Sequence, residues 1–190
     1  MLLTTEIVTM KLFFLNCYFF AILILFSACS KTSNDAGDPC SISSDSLAIA
    51  NKLLTPSGAE RIMGEQANLT CNTYFKKSDT LEYKCDYTAL LKDETSGKIG
   101  KIYFMYEVYS SSVKAKHAYN AIYQANKMHD GVKLEVGLGD EAYYHTDGTN
   151  FYFYLVRKNQ KMFRMKVNKV TSHSSESQFK EVAKLIVDMI

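Results

Sequence analysis

Gly137-Leu138-Gly139-Asp140-Glu141 is the segment whose residue types come nearest to a binding loop. Its glycines could let the backbone approach a ligand, and its adjacent carboxylates could hold a cation. His145 could add a nitrogen, and His145-x-Asp147 on an extended strand would share a face. A bound metal usually takes three or four protein ligands. Asp140, Glu141 and His145 are therefore the smallest set on which a metal-dependent enzyme could be centred. The competing reading is a glycine turn whose Asp140 bonds nearby backbone N–H groups, with solvent-exposed histidines. His117 and His129 have no spacing that completes a ligand set. The loop is not a dinucleotide fingerprint, because its glycine spacing is wrong and a strand follows.

Other chemistry is thinner. A nucleophile needs a base and an orienting partner, and no Gly-x-Ser-x-Gly motif is present. Glu82 and Asp86, with Lys84 between them, look like ordinary surface charge. The balance leans away from an enzyme, and no cofactor is implied. Arg157, Lys158, Lys161, Arg164, Lys166 and Lys169 form a basic run with no acid in it. It suits anionic headgroups or an acidic polysaccharide, an attraction that salt weakens; equally, it suits a solubilising strand face. Tyr103, Tyr109, Tyr143, Tyr144, Tyr152 and Tyr154 could stack on sugar rings or anchor a protein partner, or could be half-buried core. Arg164, Lys166, Tyr103 and Tyr109 are the candidate binding residues. A net charge of +2 over 190 residues argues against a nucleic-acid binder.

The N-terminus sets the compartment. Met1 to Thr9 reads as an upstream extension, with Met10-Lys11 a more usual start. Leu12 to Ala28 is nearly all apolar and has no basic stop beyond it, the marks of a signal peptide; an uncleaved anchor helix is the other reading. Phe26-Ser27-Ala28-Cys29 resembles the lipobox of bacterial lipoproteins, with Phe26 where leucine is commoner. The resemblance implies cleavage before Cys29, acylation of its thiol and a membrane anchor through that lipid. Ser30 after the cysteine goes, in that family, with release to the outer membrane. Residues 1–28 are then signal peptide and 29–44 a Ser/Asp/Asn/Gly-rich flexible tether. Residues 45–190 form a single α+β domain in the cell envelope, bound to an unidentified envelope protein or glycan, or serving structure alone.

The elements that must position these residues are legible from periodicity. Leu47 to Leu54 is a short helix pattern; Thr55 caps a second helix with Pro56 in its first turn and Gly64 closing it. Leu81, Tyr83, Cys85, Tyr87, Ala89 and Leu91 alternate with polar residues, as do Leu69, Cys71, Thr73 and Phe75. A turn through Lys77-Ser78-Asp79 would set Phe75 opposite Leu81 and Cys71 opposite Cys85. That predicts a Cys71–Cys85 disulfide, since opposed residues have the separation a bridge needs and exported thiols oxidise. Alternatives are two buried thiols, or Cys40 bonded to one of them. A strand over 98–110 leads to a helix capped by Ser110-Ser111-Ser112, with Ala118, Ala121, Ile122 and Ala125 as its apolar stripe. Strands 132–136, 141–146, 151–157 and 161–170 follow. A last helix opens on the Ser175-x-x-Gln178 capping box and buries Phe179, Val182, Ala183, Ile186 and Ile190. The order predicts an α+β antiparallel sheet built from two helix-plus-meander halves, with helices packed on one face. Leu53-Leu54-Thr55-Pro56, Ile62-Met63-Gly64-Glu65 and Gly137-x-Gly139-Asp140-Glu141-Ala142-Tyr143 together resemble small secreted lipoprotein domains of unknown function. That likeness implies architecture and no activity.

Overall fold

Period-two alternation of aromatic and β-branched residues with polar ones builds seven segments of the described chain into one antiparallel sheet. The computed structural model describes residues 44–190, with side chains from Ile49 onward. They belong to one compact unit. The expected signal peptide and tether, with Cys29 and Cys40, lie outside the described residues. Two helices come first, α1 (Ser44–Leu53) and α2 (Pro56–Met63), then strands β1 (Ala67–Lys77), β2 (Thr80–Ala89) and β3 (Lys101–Tyr109). Helix α3 (Ser112–Asn126) leads to β4 (Val132–Glu135), β5 (Glu141–Thr146), β6 (Phe151–Lys158) and β7 (Lys161–Asn168), and α4 (Glu176–Met189) closes the chain. The sheet has seven strands in the order β1-β2-β3-β7-β6-β5-β4. The first three strands fill one side and the last four the other, and β7 joins them by pairing with β3.

Local chemistry sets the helix ends. Thr55 accepts a hydrogen bond from the Gly58 N–H at 3.1 Å, Pro56 sits in the first turn, and Gly64 takes φ 71°. Ser111 caps α3 through the Lys114 N–H at 3.3 Å. Ser175 accepts from the Gln178 N–H at 3.3 Å. The Gln178 side chain does not complete the capping box; it accepts instead from Arg61 of α2 at 3.0 Å.

The sheet is covered on both faces, which corrects the expectation of helices on one face. On the inner face, Tyr83, Cys85, Ile102, Phe104, Tyr144, Tyr154, Phe163 and Met165 pack with residues of α2, α4 and the C-terminal end of α1. Phe179 of α4 is fully buried against Tyr152, Tyr154 and Tyr144, with ring centroids 5.8, 5.5 and 6.3 Å away. On the outer face α3 packs Tyr119 over Tyr143, Leu155 and Met162. Tyr143 and Tyr144 are neighbours in one strand and so point to opposite faces, yet each is buried. That double burial requires a layer on each side. The stripe of α3 also differs from expectation. It runs through Ala115, Ala118, Tyr119, Ile122 and Tyr123, whereas Ala121 and Ala125 are exposed.

The β1–β2 hairpin closes on two residues, Ser78 and Asp79, with Ser78 at φ 31°. One turn residue fewer than expected shifts the pairing by one. Phe75 faces Glu82, Thr73 faces Lys84 and Cys71 faces Asp86. A one-residue slip exchanges the two faces of a strand. Cys71 therefore lies on the outer side of β1, while Cys85 points into the inner core. The expected Cys71–Cys85 bridge is not formed: Cys85 is a buried free thiol, and Cys71 is disulfide-bonded elsewhere. A bulge between Leu69 and Cys71 restores the original phase near Ala67. Burial pushes the Cys85 thiol up to about 12, so it behaves as a small apolar group.

Candidate functional site

The glycine loop takes its shape from the neighbouring strand. Gly139 has φ 68°, and a Cβ there would lie 2.6 Å from the Arg157 carbonyl oxygen. The residue is glycine because the backbone of β6 runs against it. The Asp140 N–H donates to that same carbonyl at 2.8 Å. Arg157, only 7% exposed, then closes over both acids. Its Nε donates to Glu141 at 2.6 Å, and its Nη1 donates to Asp140 and to the Asn159 carbonyl, each at 2.9 Å. Asp140 also accepts from the Asn159 N–H at 2.7 Å. The two carboxylates that could have held a cation thus share one guanidinium and knit two turns together.

His145 stands at the far end of β5, about 13 Å from Glu141 along an extended strand. Its Nε2 lies 3.2 Å from the Asp130 carbonyl. Its ring stacks on His129 at 6.1 Å and meets the edge of Phe151 at 4.8 Å. Burial lowers its pKa, partly opposed by that carbonyl. Asp147 is spent on its own turn, accepting from the N–H groups of Thr149 and Asn150 and from the Asn150 side chain. The Asp140, Glu141 and His145 set is therefore not assembled. Among the described residues no three His, Cys, Asp or Glu side chains are grouped to hold a metal.

The basic run is likewise dispersed. Arg157 is occupied as described, and Lys158 donates to the Val187 carbonyl at 2.9 Å. Arg164 bonds Glu107, itself 5% exposed, at 2.7 Å. Tyr109 packs with the cluster beneath α3. Of the four candidate binding residues, Tyr103 and Lys166 are brought together. They are direct register partners on β3 and β7, on the outer face beyond the residues that α3 packs upon.

A pattern that single-residue reasoning missed surrounds that pair. Lys84 lies over the Phe75 ring at 5.3 Å, Lys101 over Tyr103 at 5.0 Å and Lys166 over Phe151 at 5.4 Å. All six residues point outward, by alternation and register, and five strands contribute to them. Lys166 is half-buried, and desolvation lowers its pKa. Asp86 sits opposite Tyr103, and burial raises its carboxyl against the pull of Lys101 and Lys84. Beside this patch, Glu82 is 4% exposed and paired with Lys84 at 2.6 Å and Lys77 at 3.2 Å. The arrangement presents flat rings, each with an ammonium over it, on a rigid sheet. Such a surface can stack on planar or ring-shaped groups while attracting anions.

A second carboxylate escaped the sequence reading. Asp93, 3% exposed, accepts from the backbone and hydroxyl of both Ser96 and Ser172. The Ser172 N–H and those further hydrogen bonds hold it well below the usual carboxylate range. It ties the long β2–β3 loop to the segment leading into α4. Asp93-x-Thr95-Ser96 is a recognisable Asx-turn pattern, but nothing local points to Ser172. No protein-family model matches the chain, and no curated protein was found to match it.

Proposed function

We propose that the protein is a membrane-tethered envelope lipoprotein whose domain binds a partner, without catalysis, through the open part of its outer sheet face. Cleavage before Cys29 and lipid on that thiol would hold it on the membrane, the outer one where Ser30 acts as the release signal. The resemblance of Phe26-Ser27-Ala28-Cys29 to a lipobox supports this, together with the apolar run before it. On the domain, the single observation that carries the reading is the row of lysine-capped rings: Phe75/Lys84, Tyr103/Lys101 and Phe151/Lys166. The ligand chemistry this suits is an acidic polysaccharide, whose rings meet aromatic faces while its carboxylates or phosphates meet the ammonium groups. The two strand runs are read as one helix-plus-meander plan used twice, with the helices placed differently.

The test has two arms. Labelled palmitate should enter wild-type protein and not Cys29→Ser; equal labelling or equal membrane retention defeats the anchor. Tyr103→Ser with Lys166→Glu should lower retention on acidic envelope polysaccharide at least tenfold while leaving the circular dichroism spectrum unchanged. Undiminished retention by that double variant defeats the binding face.

A further inference from the structure

We propose that Cys40 is the disulfide partner of Cys71, so that the tether is stapled to the outer side of the edge strand β1. The argument rests on the reading of Cys29 as lipidated and of Cys17 as lost with the signal. The sequence has five cysteines. Cys71 is disulfide-bonded, and Cys85 is a buried free thiol on the other face of the sheet. Cleavage removes Cys17, and an acylated Cys29 has no thiol to oxidise. Cys40 is the half-cystine that remains.

Position agrees with elimination. Cys40 lies four residues before Ser44, the first described residue. Cys71 sits beside the β1 bulge, facing Asp86 on the outer side. Helix α1 begins at Ser44, and its C-terminal end packs on the inner face. From Cys40 to Ser44 the chain reaches about 14 Å, and a disulfide spans about a further 5.5 Å between Cα atoms. Tyr74 of β1 already holds Asn51 of α1. Among the described residues β1 pairs only with β2, and it shows Leu69 and Phe75, each 46% exposed, at this edge. An open edge carrying apolar side chains invites pairing with other chains. A segment drawn across it by a disulfide gives cover where the sheet lacks a neighbour.

The bond forms when the two thiols release two protons and together lose two electrons. An envelope disulfide oxidant accepts them, its own S–S bond breaking to two thiols. Once the bond is made, the leash from lipid to domain shortens to residues 30–39, about 35 Å at full stretch. It then leaves the domain beside the outer face rather than at the start of α1.

The experiment uses full-length protein extracted from membranes, alkylated before digestion and mapped without reduction. Tryptic peptides 32–52 and 62–76 should appear as one linked species, and Cys40→Ser should render Cys71 alkylatable. Cys71 linked to another cysteine, or alkylated in the native wild type, overturns the staple. The mass of the Cys29 peptide is read in the same digest. A linked Cys40–Cys71 pair with unacylated Cys29 supports the staple while defeating the anchor. Acylated Cys29 with an alkylated Cys71 does the reverse.

Discussion

Arg157 decides what the most suggestive loop of the sequence can do. Its buried guanidinium holds the exposed Asp140 and the half-buried Glu141, so both acids are committed to structure. Arg157→Met should cost about 1 kcal/mol, because the Asn159 carbonyl and two solvent-accessible carboxylates lose a donor. Urea denaturation measures this, and an unchanged midpoint would count against the clamp. Asp147 behaves differently with pH. Burial pushes its carboxyl up, but hydrogen bonds from Asn150, Thr149 and Phe151 outweigh that and bring it to about 2. An unfolded aspartate titrates near 3.9, so its folded pKa is depressed. Its contribution is fully present above about pH 5 and is lost as pH falls toward 2. Asp147→Asn should therefore flatten the fall in melting temperature across that window. An identical pH profile for variant and wild type would refute the assignment.

Among the described elements, helix α3 is the cover of the outer face, and its burial stripe rests on Tyr119. That ring meets Tyr123 and Tyr143 at 6.2 and 6.3 Å and is 3% exposed. Tyr119→Ala should destabilise the fold by about 3 kcal/mol, whereas Ala121→Lys and Ala125→Lys should stay within about 0.5 kcal/mol. The reverse ranking in thermal or chemical unfolding would mean that the alanines face the sheet. The stripe was misplaced for a physical reason. Ala118, Ala121, Ile122 and Ala125 satisfy helical spacing, but so do Ala115, Tyr119 and Tyr123, and propensity does not rank two overlapping apolar faces. The larger rings bury more area and win. A similar contest set the β1–β2 register. Turns of two or three residues both fit Lys77-Ser78-Asp79, and the shorter one turns Cys71 away from Cys85.

For the molecule as a whole, the sheet is one layer with helices on either side, and Cys85 lies fully buried within it. In the native state a thiol reagent should reach Cys85 only through global opening. Its labelling in urea should then track the loss of far-ultraviolet circular dichroism, and labelling complete before that transition would show a looser inner face. Composition and periodicity determined the element types, nearly all strand and helix positions, the helix caps and the inner-face residues of β2, β3 and α4, because those depend on contacts within a few residues. Tertiary structure alone decided which face α3 covers, that Arg157 consumes the acids of the glycine loop, that Asp93 reaches Ser172, and that three lysines lie over three rings across five strands. Each of these joins residues far apart in the chain, through a strand order that β7 settles by inserting between β3 and β6. Local spacing carries no record of that choice.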